Sequence, residues 1–386
     1  MLLHGIFPPI TTPFYPDGEV YFKKIESNVE RYSRTPIAGI VVLGSTGESI
    51  MLSDQERREV LKSARGAAAP NKVLIAGTGV ESAIETLRLT EYSAELGYDV
   101  ALVRTPHFYR KQMLPANLLA FYRTVADRSP LPVMIYNVPI FTAYDLPSEV
   151  VIELAGHPNI VAIKESSGDV EKVRRMVEGT RHIKRSATVT DTFDAVTPRM
   201  LAAAASGSSG SNGDGGVLVP VGALAGTGEN SPRPVKAREM GPEKARDMGP
   251  DSASGKPSSS AVTVVGSLKT RQKEVGFQVL VGSAQKLHAS LDVGAVGGIL
   301  AFACPAPTAC YEIYAAWKEG DVELARLKQE RIAQAARRVG AELGIPGLKH
   351  GIDYNGYYGG PSRLPLLPLT ADVKCEIERL LADVRN

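Results

Sequence analysis

Short apolar runs alternate with longer amphipathic stretches along the first 180 positions of the chain. Gly39-Ile40-Val41-Val42-Leu43 is apolar throughout, as a strand buried on both faces requires. Ser53-Asp54-Gln55-Glu56 follows and predicts a capping box that opens a helix to about residue 68. In such a box the serine hydroxyl accepts from the Glu56 amide, and the Glu56 carboxylate accepts from the Ser53 amide. Residues 73–77 form the next strand, Ser82-Ala83-Ile84-Glu85 a second capping box, and Gly97 a helix stop. Further strands are expected at 99–103, 132–136 and 160–164, with a helix starting at Pro147, where a missing amide costs nothing. Counting 5–11 as the first gives six strands before residue 170, and 277–281 and 294–299 supply two more. Eight βα units in strict alternation predict an α/β fold, a (β/α)8 TIM barrel rather than an open doubly wound sheet. The barrel would occupy 1–183 and 275–319, and helical patterns at 322–343, 344–354 and 371–385 predict a C-terminal helical extension over 320–386.

Residues 184–274 break this rhythm. Gly, Ser, Ala and Pro dominate, as in Ser206-Gly207-Ser208-Ser209-Gly210-Ser211, and two octapeptides run in tandem from Lys236 and Lys244. Phe193 is the sole aromatic in the segment. So little apolar surface predicts a long disordered insert in an αβ connection on the N-terminal face, touching the barrel little and dispensable for chemistry.

Composition narrows the function classes. The 44 basic and 42 acidic side chains leave a net charge of +2, which offers no footprint for nucleic acid or an anionic membrane. Cys304, Cys310 and Cys375 have neither a disulfide framework nor zinc spacing, so no metal is expected, and reduced thiols suit a cytoplasmic protein. No apolar run reaches the roughly 18 residues of a spanning helix, and the N-terminus lacks a signal-peptide pattern.

Barrel chemistry sits where strands end at the C-terminal face. Lys164 directly follows Val161-Ala162-Ile163 there. A lysine taken out of water loses its charge more readily, and the uncharged amine attacks carbonyls. The alternative is a lysine at a strand mouth paired with a carboxylate such as Glu48. Tyr136 holds the same position one strand earlier, either as a proton carrier or as a core tyrosine. Gly44-Ser45-Thr46-Gly47 offers two hydroxyls suited to a carboxylate, or is simply a tight turn.

In combination, Gly-Ser-Thr-Gly-Glu at 44–48, Tyr-Asn-Val-Pro at 136–139 and Ile-Lys-Glu-Ser-Ser-Gly-Asp at 163–169 resemble the class I aldolases of the dihydrodipicolinate synthase and N-acetylneuraminate lyase superfamily. The resemblance covers 4–183 and 275–385. Ile-Pro-Gly-Leu-Lys at 345–349 and Gly-Tyr-Tyr-Gly-Gly-Pro-Ser-Arg at 356–363 resemble most the 4-hydroxy-2-oxoglutarate aldolase branch. The resemblance implies Lys164 as Schiff-base lysine, Tyr136 as proton carrier, Ser45 and Thr46 on the 2-oxo acid carboxylate, and Ser45 in the proton relay. Ser166, Gly282 and Gly298 would line the pocket, and Tyr109 would reach a neighbouring subunit's site in a homo-oligomer, a dimer of dimers. No cofactor is implied. The partners would be a small 2-oxo acid such as pyruvate and an aldehyde such as glyoxylate.

Two positions depart from the synthase pattern. Ile140-Phe141 stands where the lysine-pathway synthases carry an arginine, and a phenyl ring cannot donate to a carboxylate. Arg104, unusual at the end of its strand, either supplies the missing cation or points to solvent. The expected reaction is therefore cleavage of 4-hydroxy-2-oxoglutarate to pyruvate and glyoxylate. The alternatives are 4-hydroxy-tetrahydrodipicolinate synthase, a sugar-acid lyase or dehydratase of the same superfamily, and a non-catalytic barrel that binds 2-oxo acids.

Overall fold

The computed structural model describes residues 1–207, 218–219 and 262–384. Its strands are β1 (Gly5–Ile6), β2 (Gly39–Val42), β3 (Val73–Gly77), β4 (Val100–Arg104), β5 (Val133–Asn137), β6 (Ile160–Glu165), β7 (Arg185–Thr190), β8 (Leu218–Val219), β9 (Val262–Val265), β10 (Leu268–Val275), β11 (Gln278–Val281) and β12 (Gly297–Gly298). Eight of them run parallel in the order β1-β12-β11-β6-β5-β4-β3-β2. A parallel bridge between Pro9 and Val41 brings the two edges together, completing a (β/α)8 barrel.

Period-2 alternation decides what each strand shows to the inside. Val41, Ile75, Leu102, Met134, Ala162 and Leu280 pack together within the barrel. Their neighbours Ile40, Val42, Leu74, Val103, Ile135 and Ile163 belong to the outer core beneath the helices. The same parity turns Tyr136 and Lys164 inward at the C-terminal ends of their strands and Glu165 outward.

The helices are α1 (Phe22–Ser33), α2 (Asp54–Ala67), α3 (Ala83–Glu95), α4 (Pro115–Arg128), α5 (Pro139–Thr142), α6 (Ser148–Ala155), α7 (Val170–Thr180), α8 (Pro198–Gly207), α9 (Leu287–Asp292), α10 (Pro307–Lys318), α11 (Val322–Ala335), α12 (Gly344–Tyr354) and α13 (Ala371–Leu381). The Ser53 capping box forms as expected, with Glu56 N donating to Ser53 Oγ at 3.2 Å and Ser53 N to Glu56 Oε2 at 2.8 Å. The second one does not: the Ser82 side chain makes no cap hydrogen bond. Gly97 does end that helix, with φ +83°. Between α11 and α12 lies a π-helical segment, Ala336–Glu342.

The expected insert needs correction at both ends. The tandem octapeptides lie outside the described residues, but the flanks form elements. Strands β7, β10, β9 and β8 make an accessory antiparallel sheet, in which Thr190 faces Thr270 and Arg185 faces Val275. The sheet docks on the N-terminal face through Leu2, Ala187, Val189 and Val275. Arg199 of α8 donates to Gly97 O at 3.0 Å and to Asp99 Oδ2 at 3.1 Å, and also to Lys72 O. Arg185 donates to Ala155 O and His157 O at 2.6 and 2.8 Å. Excising the whole of 184–274 would remove these anchors.

The Arg199–Asp99 pair is buried, with side chains 7% and 0% exposed. Burial pushes the Asp99 carboxyl up and the Arg199 guanidinium down, and their mutual attraction opposes both shifts. We predict that Arg199→Ala costs about 3 kcal/mol, the low end for a broken buried pair, because Asp99 can then take up a proton. Urea unfolding checks this, and a loss below about 1 kcal/mol would mean that the anchor contributes little.

Candidate active site

The strand β2 ends in a turn whose backbone is unusual. Leu43 and Glu48 both adopt left-handed conformations, with φ 61° and 53°, and between them Ser45–Gly47 forms one 3-10 turn. Non-glycine residues hold that conformation only where their surroundings impose it. Here the restraint is Glu48, whose Oε1 lies 2.6 Å from Lys349 Nζ, both side chains 1% exposed. Glu48 Oε2 accepts from the Arg363 amide at 2.9 Å. Lys349 also donates to Thr12 O and Pro361 O at 2.9 and 2.7 Å. Glu48 is thus bound to Lys349 and not to Lys164, which removes the carboxylate partner considered for Lys164.

Lys164 is 4% exposed. Its ammonium nitrogen lies 4.0 Å from the centroid of the Tyr136 ring, and Tyr136 is its directly paired neighbour across β5 and β6. The Tyr136 hydroxyl lies 3.3 Å from Ser45 Oγ. These three groups and Thr46 open onto one cavity of about 390 Å³ at the C-terminal mouth. Ser166 lines it too, with a buried hydroxyl that has no hydrogen-bond partner among the described residues. A buried polar atom left open in this way is suited to a ligand.

Gly282 also lines the cavity, and a Cβ there would stand 1.9 Å from Ser166 Oγ. The glycine therefore fixes where Ser166 points. We predict that Gly282→Ala lowers kcat/KM roughly 10- to 100-fold with the fold intact, since misplacement of a positioning group by about 1 Å costs that much. Unchanged steady-state kinetics would show that Ser166 does no positioning.

Other expected residues fall differently. Gly298 does not line the cavity, whereas its neighbour Ile299 does. A Cβ at Gly298 would meet the Leu300 side chain at 2.7 Å, so the glycine serves packing beneath the site. Arg104 faces Tyr136 across β4 and β5, yet its guanidinium reaches Glu81 at 3.3 Å, in a separate surface cavity shared with Arg57 and Arg88. Tyr109 is 66% exposed, edge-on to Phe108, and outside the cavity. Ile140 and Phe141 line the rim, and among the described lining residues Lys164 is the one basic side chain.

Two supporting networks were not anticipated. Outward-facing Glu165 accepts from Asn137 Nδ2 at 3.0 Å and from the Ser167 amide at 2.7 Å, and lies 3.4 Å from Lys172 Nζ. Lys172 and Asn137 both bond Asp145 as well. This cluster ties the ends of β5 and β6 together behind Tyr136 and Lys164. The second is the π-helical segment, whose Ala336, Gly340 and Ala341 form one wall of the cavity. Such segments arise where a helix is distorted for a purpose, frequently at functional sites.

The dihydrodipicolinate synthetase family model matches residues 2–214 and 256–384. The chain is 38% identical over 206 residues to a 4-hydroxy-tetrahydrodipicolinate synthase of Methanothrix thermoacetophila, covering 53% of this chain and 68% of the relative. It is 41% identical over 177 residues to the enzyme of the same name from Xanthomonas axonopodis pv. citri, covering 46% of this chain and 58% of that relative, less than two thirds of its length. Among solved structures, a putative dihydrodipicolinate synthetase from Pseudomonas aeruginosa superposes with a TM-score of 0.71 at 20% identity, covering 100% of both chains. A dihydrodipicolinate synthase from Acinetobacter baumannii complexed with pyruvate gives 0.70 at 23% identity, covering 99% of each. These superpositions bear on the fold. Both curated relatives named here are synthases, so the expected superfamily is met, while their names do not extend to the expected 4-hydroxy-2-oxoglutarate aldolase branch. The family model spans most of the described barrel, and the chain belongs to the dihydrodipicolinate synthetase family of Schiff-base class I aldolases and lyases.

Proposed function

We propose that this enzyme forms a Schiff base between Lys164 and a 2-oxo acid of the pyruvate type, and makes or breaks a carbon–carbon bond at the acid's C3. One observation carries the reading. Four lysines are buried among the described residues: Lys72, Lys164, Lys172 and Lys349. Lys72 donates to the carbonyls of Thr35 and Ile37, Lys172 is held by Asp145 and Glu165, and Lys349 by Glu48. Lys164 alone among them has no oxygen partner among the described residues, and the cavity onto which it opens sets it beside a phenol and a serine hydroxyl.

In this reading the Lys164 amine adds to the ketone, and the carbinolamine loses water to give an iminium that serves as an electron sink. Loss of a C3 proton yields an enamine, which attacks the aldehyde carbon. In the cleavage direction, deprotonation of the C4 hydroxyl breaks the C3–C4 bond. Tyr136 carries these protons with Ser45 as its relay. The hydroxyls of Ser45, Thr46 and Ser166 hold the carboxylate. Tyr109 extends from the surface to the site of a second copy, which makes the working form a homo-oligomer, and a cytoplasmic location suits the three free thiols.

For the aldehyde, the relatives' names favour aspartate semialdehyde and hence 4-hydroxy-tetrahydrodipicolinate synthesis. Phe141 at the rim favours a second reading, cleavage of 4-hydroxy-2-oxoglutarate to pyruvate and glyoxylate. A paired assay separates them. Pyruvate consumption with aspartate semialdehyde should exceed that with glyoxylate by at least about tenfold in kcat/KM under the first reading. The reverse order would establish the second, and turnover of neither aldehyde would defeat both.

A further inference from the structure

A second cavity, of about 350 Å³, opens on the N-terminal face, at the far end of the barrel from Lys164. Its walls come from two sources. The barrel supplies His4, Lys72 and, on α10, Tyr314 and Lys318; the accessory sheet and its loop supply Asp194 and Lys273. The Schiff-base chemistry uses none of these residues.

Charge in this cavity is one-sided, with three lysines against one carboxylate. Lys72 is already occupied by two backbone carbonyls at 2.8 Å. The Asp194 carboxylate accepts from the Thr192 hydroxyl at 2.8 Å. Lys273 and Lys318 have no carboxylate partner among the described residues; Glu274 pairs with Lys184 and Glu312 with Lys328. Lys273 lies 5.5 Å from the centroid of the Phe193 ring. Tyr314 is 7% exposed, and its hydroxyl makes no hydrogen bond among the described residues. Burial first, then Tyr311 and Asp194, push its phenol up to about 12, so it stays a donor. The His4 imidazole is held down to about 4, first by burial and then by the charges of Lys273 and Lys318. Both ammonium groups therefore act on one neutral ring in a space where Asp194 is the one carboxylate among the described lining residues.

We propose that this cavity binds a small molecule bearing a carboxylate or phosphate, held between Lys273 of the accessory sheet and Lys318 of the barrel, with the Tyr314 hydroxyl as a third donor. Charge-assisted hydrogen bonds from three donors suit an oxyanion, and the volume lies at the small end of ligand cavities. Because its two lysines belong to different layers, the bound anion clamps the accessory sheet to the barrel and stabilises that docking by linkage.

The test titrates the full chain with inorganic phosphate in one arm and succinate in the other, by calorimetry and by the NMR titration of His4. At least one arm should saturate and raise the His4 pKa, and the arm that does so identifies the anion class. Lys273→Gln and Lys318→Gln should each weaken binding about tenfold, and Tyr314→Phe severalfold, with pyruvate turnover unchanged. Circular dichroism establishes that each variant is folded. Failure of both anions to saturate by about 10 mM, or equal binding by the Lys273→Gln/Lys318→Gln double variant with His4 unmoved, would overturn the proposal.

Discussion

Lys164→Met is expected to fold and to lose turnover by at least about 10⁴-fold, because the nucleophile is gone and no covalent intermediate can form. The fold should survive because no ion pair is broken: Lys164 has no carboxylate partner among the described residues. Lys349→Met provides the contrast. It leaves Glu48 buried without its cation, and breaking such a pair costs about 3–5 kcal/mol. Lys164→Met should therefore fail in the activity assay with a melting temperature near that of the parent, whereas Lys349→Met should fail first in thermal unfolding. Substantial turnover by Lys164→Met would remove the lysine from the mechanism.

Tyr136→Phe should lower kcat by roughly 10²–10⁴-fold, the usual contribution of a positioned acid–base group. The ring remains, so the contact with Lys164 at 4.0 Å and the packing inside the barrel are kept, while the 3.3 Å contact to Ser45 is lost. The loss should fall mainly on kcat. Adduct formation with pyruvate should slow as well, since the carbinolamine needs a proton to expel water. A decrease under about threefold in both steps would mean that the protons travel by another route.

Much of this was legible in the chain because strands of a parallel barrel are apolar on both faces. Ile160-Val161-Ala162-Ile163 marks β6 directly, and the lysine that follows sits on the inward parity with Ala162. Tyr136 and the hydroxyls of Ser45 and Thr46 follow from the same rule, applied where β5 and β2 end. What stayed hidden depends on partners distant in sequence. Nothing local at Glu48 points to Lys349, which α12 brings beneath the β2 turn. Arg104 has the inward parity of Leu102, but Glu81 in the loop after β3 draws its guanidinium aside. The accessory sheet was lost to averaging. Glycine and serine dominate 184–274 as a whole, whereas its flanks, Arg185–Thr190 and Leu268–Val275, have strand character of their own. A composition taken over the whole segment masked them.

The central claim is that Lys164 is the residue that forms the imine. Borohydride reduction in the presence of pyruvate, followed by peptide mapping by mass spectrometry, tests it most directly, because reduction freezes the imine as a stable secondary amine on whichever lysine formed it. The account predicts one adduct, on the peptide containing Lys164, absent from Lys164→Met and slow to form in Tyr136→Phe. An adduct on Lys72, Lys172 or Lys349, or none at all on protein that turns over pyruvate, would contradict it.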